Sequence, residues 1–244
     1  MPTTNKLHQY SAGVNASKNT APLLFDLPIQ QGWKVYYEQL TDSAVRVGDA
    51  FWDINANGGG TIIAGSENSI QIKGDGTVFS GYSTLRDLAD MTLTSATKRF
   101  YMETRVKFTI ASGGTVAANG WFIGWSSDNE AMTTGTVDAM DGGDELLGFG
   151  HLDTGTSVFF FSTQDNTEQA ITFGSDLTSG TYAKLACYYD GAVFNLYKDD
   201  ILISSTAKTQ LNDDEAMKFQ LFFEVVEAKA NTFDVQYIIL CVEL

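Results

Sequence analysis

The sequence predicts an all-β fold, a two-sheet antiparallel jelly-roll sandwich behind an extended N-terminal arm. Three observations predict it. From Trp33 onward about a dozen short apolar or alternating runs recur between clusters of Gly, Asn and Asp. Helical periodicity is confined to two short stretches. Only 3 prolines stand among 244 residues, which leaves strands free to pair.

A chain of this length buries roughly 70–75% of its unfolded surface, so its stability needs neither metal nor disulfide. The 15 Lys+Arg against 30 Asp+Glu give a formal charge of -15, which opposes sequence-independent binding to nucleic acid or to anionic membranes. Cys187 and Cys241 lie in the apolar runs LACYY and ILCVE and read as buried, reduced thiols. The stretch MPTTNKLHQYSAGVNASKNT lacks the basic start and apolar core of a secretory signal, so the Asn15-Ala16-Ser17 sequon carries no weight. No apolar run approaches the roughly 18 residues of a membrane helix.

Residues 1–22 are rich in Ser, Thr, Asn and Ala without a period, and read as an extended arm. LLFDLPIQ, 23–30, is a brief apolar patch closed by Pro28. The arm is therefore assigned to 1–32 and the sandwich to 33–244. Strand candidates follow in order: WKVYYEQL, AVRVGDAFWDI, GTIIAG, SIQIKG, GTVFSGY, FYMETRVKFTI, NGWFIGWS, QAITFG, YAKLACYYDG, AVFNLYKDDILISST, KFQLFFEVVE and FDVQYIILCVEL. Within Ser83–Thr97 the spacing of Leu85, Leu88 and Met91 predicts one or two helical turns, and Asn212–Ala216 another. DELLGFGHLDTGTSVFFFS, 144–162, reads as a hairpin turning at Asp153–Thr156. Glu145, Leu147, Phe149, His151 and Asp153 share one strand face, and the polar residues mark its solvent side and ends.

From about residue 99 to 244, the order of RFYMETRVKFTI, GWFIGWS, the hairpin, TYAKLACYYDGAVFNLYKDDILISST and KFQLFFEVVEAKANTFDVQYIILCVEL resembles the concanavalin A-like jelly-roll superfamily, the laminin-G and glucanase group. The strand-turn pattern YYDGAVFNLYKDDILISST is the most telling part. The resemblance implies a sugar binder, a glycan-cleaving enzyme or a structural module of a bacteriophage virion. A glucanase of this kind carries Glu-x-Asp-x-x-Glu on one strand. Here the nearest candidates, Asp144-Glu145 and Glu224-x-x-Glu227, lack the spacing that sets an acid beside a nucleophile.

His151 suits a strand end better than a catalytic triad, because no G-x-S-x-G elbow accompanies it. The acidic loop Asp138–Glu145, with Asp128, Asn129 and Glu130, offers oxygens that suit Ca²⁺ but not in the order of a dedicated calcium loop, and reads as solvated. Trp33, Trp52, Trp121 and Trp125 are candidates for stacking on sugar rings. Trp121 and Trp125 share one strand face, which suits a core equally well. Gly58-Gly59-Gly60 and Gly74-Asp75-Gly76 read as turns.

The expectation is a non-enzymatic virion protein, a bacteriophage capsid decoration protein without cofactor or metal. It would bind a major capsid or other virion protein, form a homo-oligomer (a trimer by preference), and engage neither nucleic acid nor membrane. Its arm would bind through Leu23, Leu24 and Phe25. Trp125, Asp128, Asp141 and Asp144 are the ligand candidates under the alternative, a lectin-like carbohydrate-binding module of a phage fibre or tail.

Overall fold

A computed structural model of the chain describes residues 8–9, 15–16, 33–39, 53–55, 61–64, 69–76, 80–86, 99–115, 119–127, 145–152, 157–164, 167–173, 177–211 and 217–243. Among them the chain is β-strand throughout, with no helix: β1 (His8–Gln9), β2 (Asn15–Ala16), β3 (Trp33–Gln39), β4 (Asp53–Asn55), β5 (Thr61–Ala64), β6 (Ile70–Lys73), β7 (Ser80–Arg86), β8 (Phe100–Thr109), β9 (Asn119–Ser126), β10 (Leu146–His151), β11 (Val158–Gln164), β12 (Thr167–Thr172), β13 (Tyr182–Tyr189), β14 (Val193–Lys198), β15 (Ile201–Ala207), β16 (Lys218–Val225) and β17 (Thr232–Glu243).

Two antiparallel sheets form the sandwich. One has the order β12-β11-β10-β9-β16-β7-β4, the other β15-β14-β13-β8-β17-β6-β5, with β3 also on β17. β17 is long enough to serve β6 through Thr232–Val235 and β3 through Tyr237–Glu243 along the same flank. The early strands β4 and β7 reach the rest of their sheet through β16, and β3, β5 and β6 reach theirs through β17. This places the last two strands in the middle of both sheets, the crossed connectivity of a jelly roll.

Strand alternation sends one set of side chains between the sheets. Aromatic rings lock the two layers together: Trp121 of β9 stacks on Phe233 of β17 at 5.0 Å, and Trp125 of β9 meets Phe100 of β8 edge-on at 5.9 Å. The outer face of the seven-stranded sheet holds a second buried cluster, Phe122, Leu146, Phe161 and Phe222. Beside it Gly124 and Gly148 face each other across β9 and β10, so close that a Cβ on Gly124 would lie 2.3 Å from the Leu147 carbonyl oxygen.

The expected hairpin is present, with β10 on β11 in the register Gly148↔Phe161, and its turn at 153–156 lies outside the described residues. Its polar residues do not mark a solvent side. His151 is 2% exposed and Glu145 7%, because both faces of β10 are covered. The expected helical turns from Ser83 are also corrected: Ser83–Arg86 belong to β7, where Leu85 pairs with Gln220 and Asp53. Residues 87–98 and 212–216 lie outside the described set, as do Leu23, Leu24 and Phe25. In the expected arm, β1 pairs with β2.

Both cysteines are free and buried. They flank β8 at adjacent residues, Cys187 opposite Met102 and Cys241 opposite Tyr101, so alternation points them to opposite faces and forbids a bridge. The run YYDGAVFNLYKDDILISST folds as the sequence indicates. Asp190 Oδ1 accepts from the Ala192 and Val193 amides at 2.9 and 2.8 Å, and the β14–β15 turn holds Asp199 and Asp200 at φ 50° and 70°. Two successive left-handed residues match the twist of a tight hairpin.

Candidate functional site

FYMETRVKFT, which forms β8, alternates apolar with polar side chains over most of its length. Phe100, Met102, Val106 and Phe108 enter the core, which leaves Tyr101, Glu103, Arg105 and Lys107 on the outer face of the eight-stranded sheet. Glu103 is fully buried there. It accepts hydrogen bonds from the Tyr101 hydroxyl and, at 2.7 Å, from the Tyr237 hydroxyl. Burial pushes its carboxyl above the ordinary carboxylate range, against the opposing pull of the two phenols and of the Lys184 ammonium. Lys184 itself pairs with Asp200.

A second row crosses the same face. Asp234, also buried, accepts from Ser69 Oγ at 3.3 Å and from Gln71 Nε2 at 3.1 Å, with Lys107 Nζ 4.0 Å away. The Lys107 ammonium and the Arg105 guanidinium both lie over the Tyr182 ring, at 4.4 and 5.0 Å. Arg105 also donates to Gln236 Oε1 at 2.8 Å. The charged groups among them satisfy one another. Burial also raises the Tyr101 and Tyr237 phenols and both cysteine thiols, which makes them poor nucleophiles.

The seven-stranded sheet keeps its carboxylates apart. Glu224 pairs with Gly120 at one end of β9, and Glu145 is joined to Ser127 beyond the other end by two 2.9 Å hydrogen bonds. At about 3.3 Å per residue they stand roughly 20 Å apart, beyond the 5–9.5 Å of a glycosidase acid pair. Glu227, the other half of the sequence candidate, accepts from the Thr115 amide and from Asn231 Nδ2 at 3.0 and 2.9 Å. His151 Nδ1 bonds the Asn119 carbonyl oxygen at 2.8 Å, a structural tie. Among the described residues no group of three or more His, Cys, Asp or Glu is placed to hold a metal.

Of the ligand candidates, Trp125 is corrected. It is 0% exposed, packed between Phe100 and Phe219, and offers no ring face to a sugar. Trp121, at 2%, is equally enclosed. Asp128, Asp141 and Asp144 lie outside the described residues.

The same architecture recurs in solved structures of low sequence identity. The carbohydrate recognition domain of Emp47p superposes with a TM-score of 0.57 at 12% identity, covering 84% of this chain and 94% of that one. Peanut lectin gives 0.55 at 12%, with 86% and 97% covered. A conserved carbohydrate esterase from Shiga toxin-encoding bacteriophage phi24B gives 0.51 at 16%, with 86% and 100% covered. The fold is the concanavalin A-like jelly roll. No protein-family model matches the chain, and no curated protein matches it in sequence.

On this concanavalin A-like sandwich the large exposed apolar side chains among the described residues are Tyr37, Ile63, Ile201, Leu202 and Ile203. All belong to the eight-stranded sheet, on β3, β5 and β15. Sequence reasoning singled out neither the exposed apolar residues of β15 nor Glu103. The polar alternation of Tyr101, Glu103, Arg105 and Lys107 was a signal for the second; ILISST reads as an ordinary apolar strand and gave none for the first.

Proposed function

We propose that the chain is a non-enzymatic, partner-binding component of a bacteriophage virion, a capsid decoration protein attached to a major capsid or other virion protein. The observation that carries this reading is the division of its surface. The carboxylates Glu103, Asp234 and Glu227 are tied into internal networks, while exposed apolar side chains collect at sheet edges, the kind of surface that another protein covers. A phage protein with the same fold, matched over its full length, supports the setting. Co-sedimentation with undecorated particles tests it: saturable binding is expected, and none would remove the proposal.

The lectin-like neighbours favour a second reading, a carbohydrate-binding module of a fibre or tail. A glycan array separates the two, since only the second expects a defined sugar ligand. Neither reading expects hydrolysis. Acetate or reducing ends released from bacterial polysaccharide by the wild-type chain would overturn both.

A further inference from the structure

We propose that the chain meets its virion partner through the outer face of the eight-stranded sheet, around Arg105, and that the partner presents acidic side chains there. The assignment rests on the virion-binding reading of the chain. Register builds the face. Ile63, Gln71, Asp234, Lys107 and Tyr182 stand side by side on β5, β6, β17, β8 and β13, a row about 19 Å across. Their chain neighbours Ile72, Phe233 and Val106 enter the core, so alternation turns this row away from it. Lys73 and Arg105 extend it on opposite sides, two residues along β6 and β8.

Charge is unbalanced on this face. Its carboxylates are engaged: Asp234 is buried under Ser69 and Gln71 with Lys107 at 4.0 Å, Glu103 is bonded to two phenols, and Asp200 is paired with Lys184. Arg105 is exposed, and the group that satisfies it, Gln236, is neutral. Half-buried Lys73 has, among the described residues, neither a hydrogen-bond partner nor an ion pair. Two cations therefore face outward without a compensating carboxylate, on a chain whose formal charge is -15.

Composition and charge select the occupant. Tyr and Arg are the residues enriched where proteins meet, and Arg105 and Tyr182 share this face with exposed Ile63 and with exposed Tyr37, whose ring lies 6.4 Å from that of Tyr237. Contact with the Tyr182 ring at 5.0 Å limits the freedom of the Arg105 guanidinium before binding, and a carboxylate matches its planar fork of N–H groups. An open sheet face is not the cleft that encloses a small molecule. These few cations are too weak a set to hold nucleic acid against the net charge. A second copy docked through the same face would set like charges opposite one another across the two-fold axis. An acidic protein surface meets none of these objections.

Co-sedimentation of the purified chain with undecorated particles tests the assignment. Binding should weaken about tenfold in Arg105→Glu, less in Arg105→Gln, and most in Arg105→Glu combined with Lys73→Glu. It should also fall as NaCl rises from about 0.05 to 0.5 M. Thermal melts should not change, because neither side chain holds an ion pair. Lys208→Glu makes the same change of charge beyond β15, away from this face, and should bind as the wild type does. If the folded Arg105 variants bind as tightly as the wild type, the assignment is wrong and the virion reading stands; if the wild type does not bind, both fall. Equal losses in Lys208→Glu and Arg105→Glu would report net charge alone and overturn the assignment. Binding of alginate that Arg105→Glu abolishes would overturn it too, because the face would then belong to an acidic glycan.

Discussion

Asn231 ties together three loops at one end of the sandwich. Its Nδ2 donates to Asn119 Oδ1 at 2.7 Å and to Glu227 Oε1 at 2.9 Å, its Oδ1 accepts from the Ala111 amide at 2.8 Å, and its carbonyl accepts from the Gly74 amide at 3.0 Å. Asn231→Ala strands buried partners, and should cost about 2 kcal/mol or more, read as a lower urea midpoint. Glu103 sets a pH dependence. Burial raises its carboxyl in the folded state, so the native protein keeps a proton that the unfolded chain releases near its ordinary 4.5. Its contribution is therefore greatest below that value and is lost as pH rises through the folded pKa; Asp234 acts in the same sense. Urea midpoints at pH 5 and 7 should differ less in Glu103→Gln than in wild type. The cysteines were legible because each sits among large apolar neighbours. Trp125 was not, because every residue of β9 is buried, and a period of two cannot tell inside from outside when both faces are covered.

At the level of elements, local turn chemistry was the readable part. Asp190-Gly191 and Asp199-Asp200 fix β13, β14 and β15 by short-range hydrogen bonds and left-handed backbone, and those hairpins form where the sequence placed them. The stretch from Ser83 misled because Leu85 and Leu88 share a helical spacing; β16 and β4 hold Leu85 in a strand instead. Tertiary pairing overrides a weak local period. The close pass of β9 over β10 was invisible in the sequence, since a glycine in a strand does not announce what approaches it. Gly148→Ala would place a Cβ 2.4 Å from the Ile123 carbonyl oxygen. Backbone on both strands must separate, and the variant should lose about 3 kcal/mol or fail to fold, measured by soluble yield and chemical denaturation.

For the whole molecule, the fold class was readable from strand count and turn spacing, whereas the neighbour of each strand was not. The decisive pairings join distant segments, as when Gln71 meets Asp234 across 163 residues. Trp33 begins the first strand of the main sandwich, on β17, so the fragment 33–244 should melt cooperatively without the residues before it; a broad transition by circular dichroism would contradict that. The crossed strand order also has a consequence for synthesis. A ribosome delivers β3 to β7 and then β8 to β15 before either of the strands that join them, β16 and β17, exists. Until those emerge the nascent chain holds two groups of strands with open inner edges and exposed apolar faces, a species prone to self-association and to chaperone capture. Arresting translation just before residue 218 should yield a protease-sensitive nascent chain, while release of the whole polypeptide should convert it to a resistant one.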